Sequence, residues 1–443
     1  MHVAHFIQRY PPALGGSEAY FARLGDYLVR CGDRVDVWTT TAVDLEAFWR
    51  RGKNLTPQPP SLRGKGGPDA GPTARRSSLA PPSFLGKGVG GLGSSASVRR
   101  YPPLRFPARR YILKALSLIP SRPLQCLTVP CNPLAPRMWR DAAQYAGPLD
   151  AVHATAFPYA FPIMCGLRLA RRRGVPFFLT PFLHLGDPAD AADPTRRHYT
   201  APHLRWLLNQ ADRVFVQTRL ERDAVIGSGV PAERVVLQGL GVDAVECTGG
   251  NRDAARAAWG VGPNEVVVGH LANNSVEKGT VDLLRAAGGR VHVVLAGPEM
   301  PNFRAFWDHF PHRDRVIRLG VLSDGQKRDF FAGIDAFALP SRSDSFGLVL
   351  LEAWANGKPN LVYRAGGPAE LVRDGIDGLH AKCGDVAELA AKLELLASEA
   401  ILRRRLGAAG RSRLDREFRW DDSLGRVRKE IEQVVYIKAH PSR

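Results

Sequence analysis

The stretch LPSRSDSFGLVLLEAWANGKP, residues 339–359, decides how the chain is read. The apolar run Ala336-Phe337-Ala338-Leu339 reads as a strand ending at Pro340. A polar loop follows, and an apolar helix begins near Phe346. Asp344 lies in the loop and Glu352 within the otherwise apolar helix. A lone carboxylate costs several kcal/mol to bury, so Glu352 needs a polar partner unless it sits on a solvated helix face.

Outward from this block the pattern is strand, turn, helix, repeated. Towards the N-terminus lie strands at Val266 to Val268, His292 to Ala296 and Val316 to Arg318. Helices fall over Gly279 to Ala287 and Asp324 to Phe331. Asn360 to Val362 and a helix over Asp385 to Ala397 continue the series. A second series occupies the first half. Val3 to Ile7 is followed by Gly15-Gly16-Ser17-Glu18 and a helical run, then by strands at Val35 to Thr40, Asp150 to Ala154, Phe177 to Thr180, Arg213 to Gln217 and Val235 to Gln238. Such alternation predicts an α/β architecture of two doubly wound, Rossmann-like parallel sheets. Two domains in series leave a cleft where the carboxyl ends of their strands face each other, which is where open α/β sheets bind ligands. The expected division is 1–242, 243–415 and a tail, 416–443, returning as a helix to the first domain.

Composition narrows the class. The chain has 443 residues and a net charge of +18, which invites a nucleic-acid or anionic-lipid reading. Between Arg50 and Arg110, however, 13 Lys/Arg face a single acid, Asp69. Much of the excess therefore falls in one segment, and no nucleic-acid partner is expected. Residues 54–98 are rich in Gly, Pro, Ser and Arg and carry an imperfect repeat, PPSLRGKGG against PPSFLGKG. That composition buries too little apolar surface to offset chain entropy, so a disordered insertion is expected. Six cysteines are scattered without a CxxC pair, and neither a zinc nor a redox site is expected. No secretory signal and no apolar run of membrane-spanning length is seen. A cytoplasmic location is expected.

Single motifs are ambiguous taken alone. Lys278, in Glu277-Lys278-Gly279 at a helix start, is suited to neutralise a diphosphate, or it is a solvated surface lysine. Gly297, at a strand end, lets a ligand approach the backbone, or it marks a plain turn. His184, in the loop after Phe177 to Thr180, reads as structural or as a cleft residue.

Taken together, they resemble retaining glycosyltransferases of family four, with the GT-B fold. The usual Pro-Ser-x-x-Glu-x-Phe-Gly pattern with a second Glu eight positions on is matched by Pro340, Ser341, Phe346, Gly347 and Glu352. Gly366-Gly367-Pro368-Ala369-Glu370, Asp374-Gly375-Ile376-Asp377-Gly378 and the block around Lys278 match in order. The resemblance implies a hexose moved from a nucleoside-diphosphate sugar to a hydroxyl of a glycan or lipid-linked acceptor, in cell-envelope polysaccharide synthesis. No metal or other cofactor is implied. Lys278 would meet the donor diphosphate and Glu352 the ribose hydroxyls. Ser345, Phe346 and Gly347 would present backbone to the donor, Gly15 and Gly16 would face it from the first domain, and His184 would lie near the reacting sugar. Peripheral membrane contact is a further implication. Two positions depart from the pattern. Asp344 replaces the first Glu and would still contact the donor sugar as a catalytic carboxylate, and His270 stands where an Arg is usual; protonated, it would help bind the donor diphosphate, with Lys278 carrying more of the charge compensation. A sugar-nucleotide-binding protein without activity, or another GT-B enzyme such as an epimerase, stays open as an alternative.

Overall fold

The computed structural model describes residues 1–13, 15–43 and 96–440. The strands of the first half are β1 (His2–Phe6), β2 (Arg34–Thr40), β3 (Ala96–Tyr101), β4 (Ala151–Ala154), β5 (Phe177–Leu179), β6 (Arg213–Val216) and β7 (Val235–Leu237). They form one seven-stranded sheet in the order β3-β2-β1-β4-β5-β6-β7. The second half contributes β8 (Val267–Leu271), β9 (His292–Ala296), β10 (Val316–Gly320), β11 (Ala336–Leu339), β12 (Asn360–Tyr363) and β13 (Gly378–Ala381), ordered β10-β9-β8-β11-β12-β13. Every strand pair is parallel. The near-continuous burial of β4, β11 and β12 follows from helices covering both faces. The order reverses at β1/β4 in one sheet and at β8/β11 in the other. At these switch points successive loops diverge and leave a crevice.

Two readings of the sequence need correction. Residues 54–95 of the expected insertion lie outside the described residues, but Ala96, Ser97 and Val98 belong to β3, in register with Val35, Asp36 and Val37 of β2. Composition has no sharp edge, whereas the exposed backbone of β2 supplies one by pairing. Tyr101 completes the strand with its ring stacked on Trp38, centroids 5.8 Å apart. β13, which begins at the end of the Asp374 to Leu379 block, was not expected as a strand. It gains its place by lying against β12, Leu379 beside Leu361.

The lobes share apolar packing. Tyr20 and Phe215 of the first belong to the same buried cluster as Phe337 and Trp354 of the second, together with Leu424, Val427 and Ile431 of the helix Trp420–Ala439. That helix lies against the first lobe, beside the helix Gly16–Arg30. Arg426 donates to the Gln238 carbonyl at 2.8 Å, and the Nε of Arg428 donates to the buried Asp33 carboxylate at 2.8 Å. Arg428→Ala is expected to lower stability by about 1.5–3 kcal/mol, the range for hydrogen bonds to charged groups. Urea unfolding checks this.

Candidate functional site

The second lobe's switch point is bridged by charge. Lys278 leaves the loop after β8, just before the helix Thr280–Ala287. Asp344 lies in the loop after β11, just before the helix Leu348–Ala355. Their side chains meet at 2.6 Å, each about one-fifth exposed. Burial opposes ionisation of Asp344, but the Lys278 ammonium overrides it and holds the carboxyl below the ordinary range. Asp344 is thus an anion at neutral pH.

Sterics bring the loops together. Gly279 has φ +74°, and a Cβ there would lie 1.8 Å from the Pro340 carbonyl oxygen. Only glycine lets one loop lie on the other. Gly297, at φ +108°, has a comparable reason: a Cβ would lie 2.0 Å from the Ala272 carbonyl oxygen. The close approach at Gly297 is therefore to the chain's own backbone.

The first lobe supplies His184. Its ring stacks on Tyr199, centroids 4.8 Å apart. Burial and the Lys278 ammonium push its imidazole down to about 4, against the pull of Asp344. Two anchors hold its loop. Glu221, buried, accepts from the amides of Leu183 and Gln217, both at 2.7 Å. Phe182, at φ +53°, is held with its ring edge-on to Tyr20 at 5.4 Å. A non-glycine residue in that region signals strain maintained by its surroundings. The lobes also touch directly. Gly366 donates to the Gly186 carbonyl at 3.1 Å, and Glu370 accepts from the amides of Arg219 and Leu220, at 2.7 and 2.8 Å. The Glu370 carboxylate therefore caps a first-lobe helix, Arg219–Ile226, where unpaired amides favour an anion.

The remaining candidates divide. Gly15 and Gly16 open the helix Gly16–Arg30, in a loop organised by Glu18, whose buried carboxylate pairs with Arg9 at 2.7 Å. Ser345 is partly exposed. Phe346 is buried, its ring edge-on to Phe418 at 6.3 Å, and its amide faces the Asp344 carboxylate. Gly347 caps the helix Leu348–Ala355. Glu352 has a partner within the chain, Lys327 of the helix Asp324–Gly333, at 2.5 Å. Burial opposes the charge on Lys327, and Glu352 overrides it.

The expectation for His270 is overturned. It is fully buried in β8, with Nδ1 at 2.8 Å from the Ala338 carbonyl oxygen and Nε2 at 2.9 Å from the Thr280 hydroxyl. Both ring nitrogens are used inside the lobe, and burial pushes the imidazole down to about 4. It offers a diphosphate neither charge nor a donor. Sequence reading also missed Lys327, Glu221, Tyr199, Arg9 and Glu370. Of these only Glu370, in the Gly-Gly-x-x-Glu block, carried a signal. Among the described residues no group of three or more His, Cys, Asp or Glu is placed to hold a metal ion.

Comparisons with known proteins agree with this fold. A family model described as glycosyl transferase 4-like domain matches residues 15–241, and one described as glycosyl transferases group 1 matches residues 251–413. A D-inositol 3-phosphate glycosyltransferase from Mycobacterium sp. (strain KMS) is 34% identical over 204 residues, 43% of this chain. The match spans 46% of that relative, so the chain covers about half the length of the curated relatives it matches. Among solved structures, a sucrose-phosphate synthase from Thermosynechococcus elongatus superposes with TM-score 0.69 at 19% identity, covering 98% of this chain and 99% of that one. Anabaena HepE, solved with UDP and glucose, superposes with TM-score 0.65 at 18% identity, covering 97% and 99%. At such identity the likeness is one of fold.

Two outcomes are expected. Gly279→Ala should cost about 1–3 kcal/mol, as overpacked sites do, read as a lowered thermal midpoint. His184 and His270 should show no protonation step in an imidazole NMR titration over roughly pH 5–8, where an unperturbed histidine changes charge. Their depressed values mean that the unfolded chain binds the protons first. The stability they contribute is present above about 6.5 and is lost as the pH falls towards about 4.

Proposed function

We propose a function from one premise: this chain belongs to the glycosyl transferases group 1 family, with the GT-B fold. It is a retaining glycosyltransferase that moves a hexose from a nucleoside-diphosphate sugar to a hydroxyl acceptor. The observation that carries this reading is the Lys278–Asp344 pair at the β8/β11 switch point, with His184 of the other lobe beside it. Uridine diphosphate is the first nucleotide to try, because HepE was solved with it.

In transfer, negative charge grows on the departing diphosphate and positive charge on the sugar ring. A preorganised cation stabilises the former, and a desolvated site strengthens the effect. Lys278 fills that role without help from His270. Asp344 holds the ammonium, and an arriving diphosphate competes for it. Asp344 is then an anion beside the sugar, where a fixed carboxylate suits a ring that becomes cationic. His184, held neutral, keeps hydrogen-bonding capacity and adds no charge against the leaving group. Glu352 takes the ribose hydroxyls with the carboxylate oxygen that Lys327 leaves over. Same-face attack needs no strong protein nucleophile.

Lys278→Ala and Glu352→Ala are each expected to lower transfer by at least about tenfold, the equivalent of 1.4 kcal/mol. Each variant leaves a partner, Asp344 or Lys327, without its counter-charge, so the thermal midpoint should fall while the far-UV circular dichroism of the folded chain is kept. The assay offers UDP-, GDP- and ADP-hexoses and follows nucleotide release. Unchanged turnover in both variants would refute the site. Nucleotide binding without transfer to any acceptor would favour the inactive binding protein.

A further inference from the structure

The second lobe has another charged hollow, at the opposite end of its sheet from the switch point. Asp335 leads into β11, and Lys358 comes two residues before β12. Both lie at the amino ends of these strands, whereas Asp344 follows the carboxyl end of β11. A cavity of 220 Å³ opens there, lined by Asp335, Gly357, Lys358, Ala400, Arg403 and Arg404. Drug-sized ligands fill about 300–1,000 Å³, so this hollow suits a smaller one.

The charge around the hollow is unbalanced. Its acid, Asp335, is already taken. Arg252 meets it at 2.7 Å and Arg256 at 3.2 Å, and the Val267 amide donates to it at 2.9 Å. Burial opposes its ionisation, and these contacts override that. Lys358 donates to the carbonyls of Ile334 and Ala332, at 2.7 and 3.4 Å, at the carboxyl end of the helix Asp324–Gly333. The third N–H of its ammonium is left over. Arg403 donates to the carbonyls of Leu396 and Ala397, at the carboxyl end of the helix Val386–Ser398. Arg404 is exposed and has no hydrogen-bond or ion-pair partner among the described residues.

A helix end carries about half a unit of charge. Set against Arg252, Arg256, Lys358, Arg403 and Arg404, one carboxylate and two helix ends leave an excess of about three positive charges. Glu399 stands nearby in sequence, but it is exposed and pairs with none of these cations among the described residues. Ala400 opens the helix Ala400–Glu417, which has no side-chain cap, so free amides at its amino end add to the positive side. Burial, with Arg252 beside it, pushes the Lys358 ammonium down to about 8. A nearby anion would restore it. Helix capping explains where Lys358 and Arg403 sit. It does not explain the hollow that they share with Arg404.

We propose that this hollow is a binding site for a phosphoryl group, separate from the donor crevice. Arg404 brings a planar fork that matches two phosphate oxygens at once. Lys358 brings its spare N–H, and the amino end of Ala400–Glu417 brings backbone amides. The site lies one short loop from the helix Leu348–Ala355, which carries Glu352. Asn356 of that loop donates to the Glu352 carbonyl at 2.9 Å. Gly407 of Ala400–Glu417 already lies on the same loop, where a Cβ would come within 1.9 Å of the Gly357 carbonyl oxygen. A phosphoryl group held between Lys358 and Arg404 fastens the loop to this helix a second time. The site does not depend on which reaction the crevice performs.

The test is isothermal titration of the full chain with inorganic phosphate, pyrophosphate and glycerol phosphate, each against chloride at matched ionic strength. At least one of them should bind, and the tightest tells whether the free ion, a diphosphate or an ester is the ligand. Arg404→Gln, at an exposed side chain, should keep the wild-type thermal midpoint. It should weaken binding by at least about tenfold, the loss of a hydrogen bond to a charged group. Lys358→Gln, which keeps a donor for the Ile334 carbonyl, should weaken it by a similar factor. Lys278→Ala should keep this binding, because Lys278 lies at the other end of the sheet. Wild-type protein that binds none of the three more tightly than chloride would overturn the proposal. So would binding that Arg404→Gln leaves unchanged. Binding that is lost in Lys278→Ala and kept in Arg404→Gln would place the anion in the crevice instead.

Discussion

An ammonium and a carboxylate 2.6 Å apart, Lys278 and Asp344, stand at the point where the order of the second sheet reverses. Neighbouring parallel strands send their connections to opposite faces there, so two loops part and leave backbone and side chains around an open crevice. The pair draws these loops together across that opening. Their backbones approach so closely that Gly279 accepts no side chain. The first lobe then closes the crevice with His184, and that loop is held by a buried carboxylate and a strained phenylalanine. Geometry of this kind suits a ligand that is itself anionic, because it offers a cation whose existing partner can be displaced.

Buried polar groups explain how the chain tolerates its departures from the family pattern. A histidine in the place of an arginine could leave a gap in a phosphate clamp. Here the imidazole instead becomes part of the lobe, satisfied on both nitrogens by Ala338 and Thr280. Asp344 is one methylene shorter than the usual glutamate, yet it reaches Lys278 because both loops lean on the same backbone contact. Glu352 meets the polar partner that an acid in an apolar helix requires, and that partner is Lys327.

The two faces of the first lobe contrast in the same terms. Towards the second lobe, polar groups are paired one by one, down to the Glu370 carboxylate on the amides of Arg219 and Leu220. On the face around Arg109–Ser117, apolar and basic side chains alternate without an acid in the sequence to answer them. The first arrangement holds two lobes in register.

The sequence alone determined the two doubly wound sheets, the block from Leu339 to Pro359 and the family it belongs to, because strand and helix periodicity and turn chemistry are local properties. It also marked Glu352 as an acid needing a polar partner and Lys278 as a cation suited to a diphosphate. It did not reveal the partners. Lys278 and Asp344 are 66 residues apart, and His184 belongs to the other half of the chain. Which loops meet depends on sheet order and on how two lobes pack, neither of which is written in any short window. For the same reason His270 read as a candidate cation until its strand position enclosed it, and β3 read as part of an insertion until β2 supplied an edge. Only the tertiary structure decided these matters, because a side chain's charge and availability are set by what is packed around it.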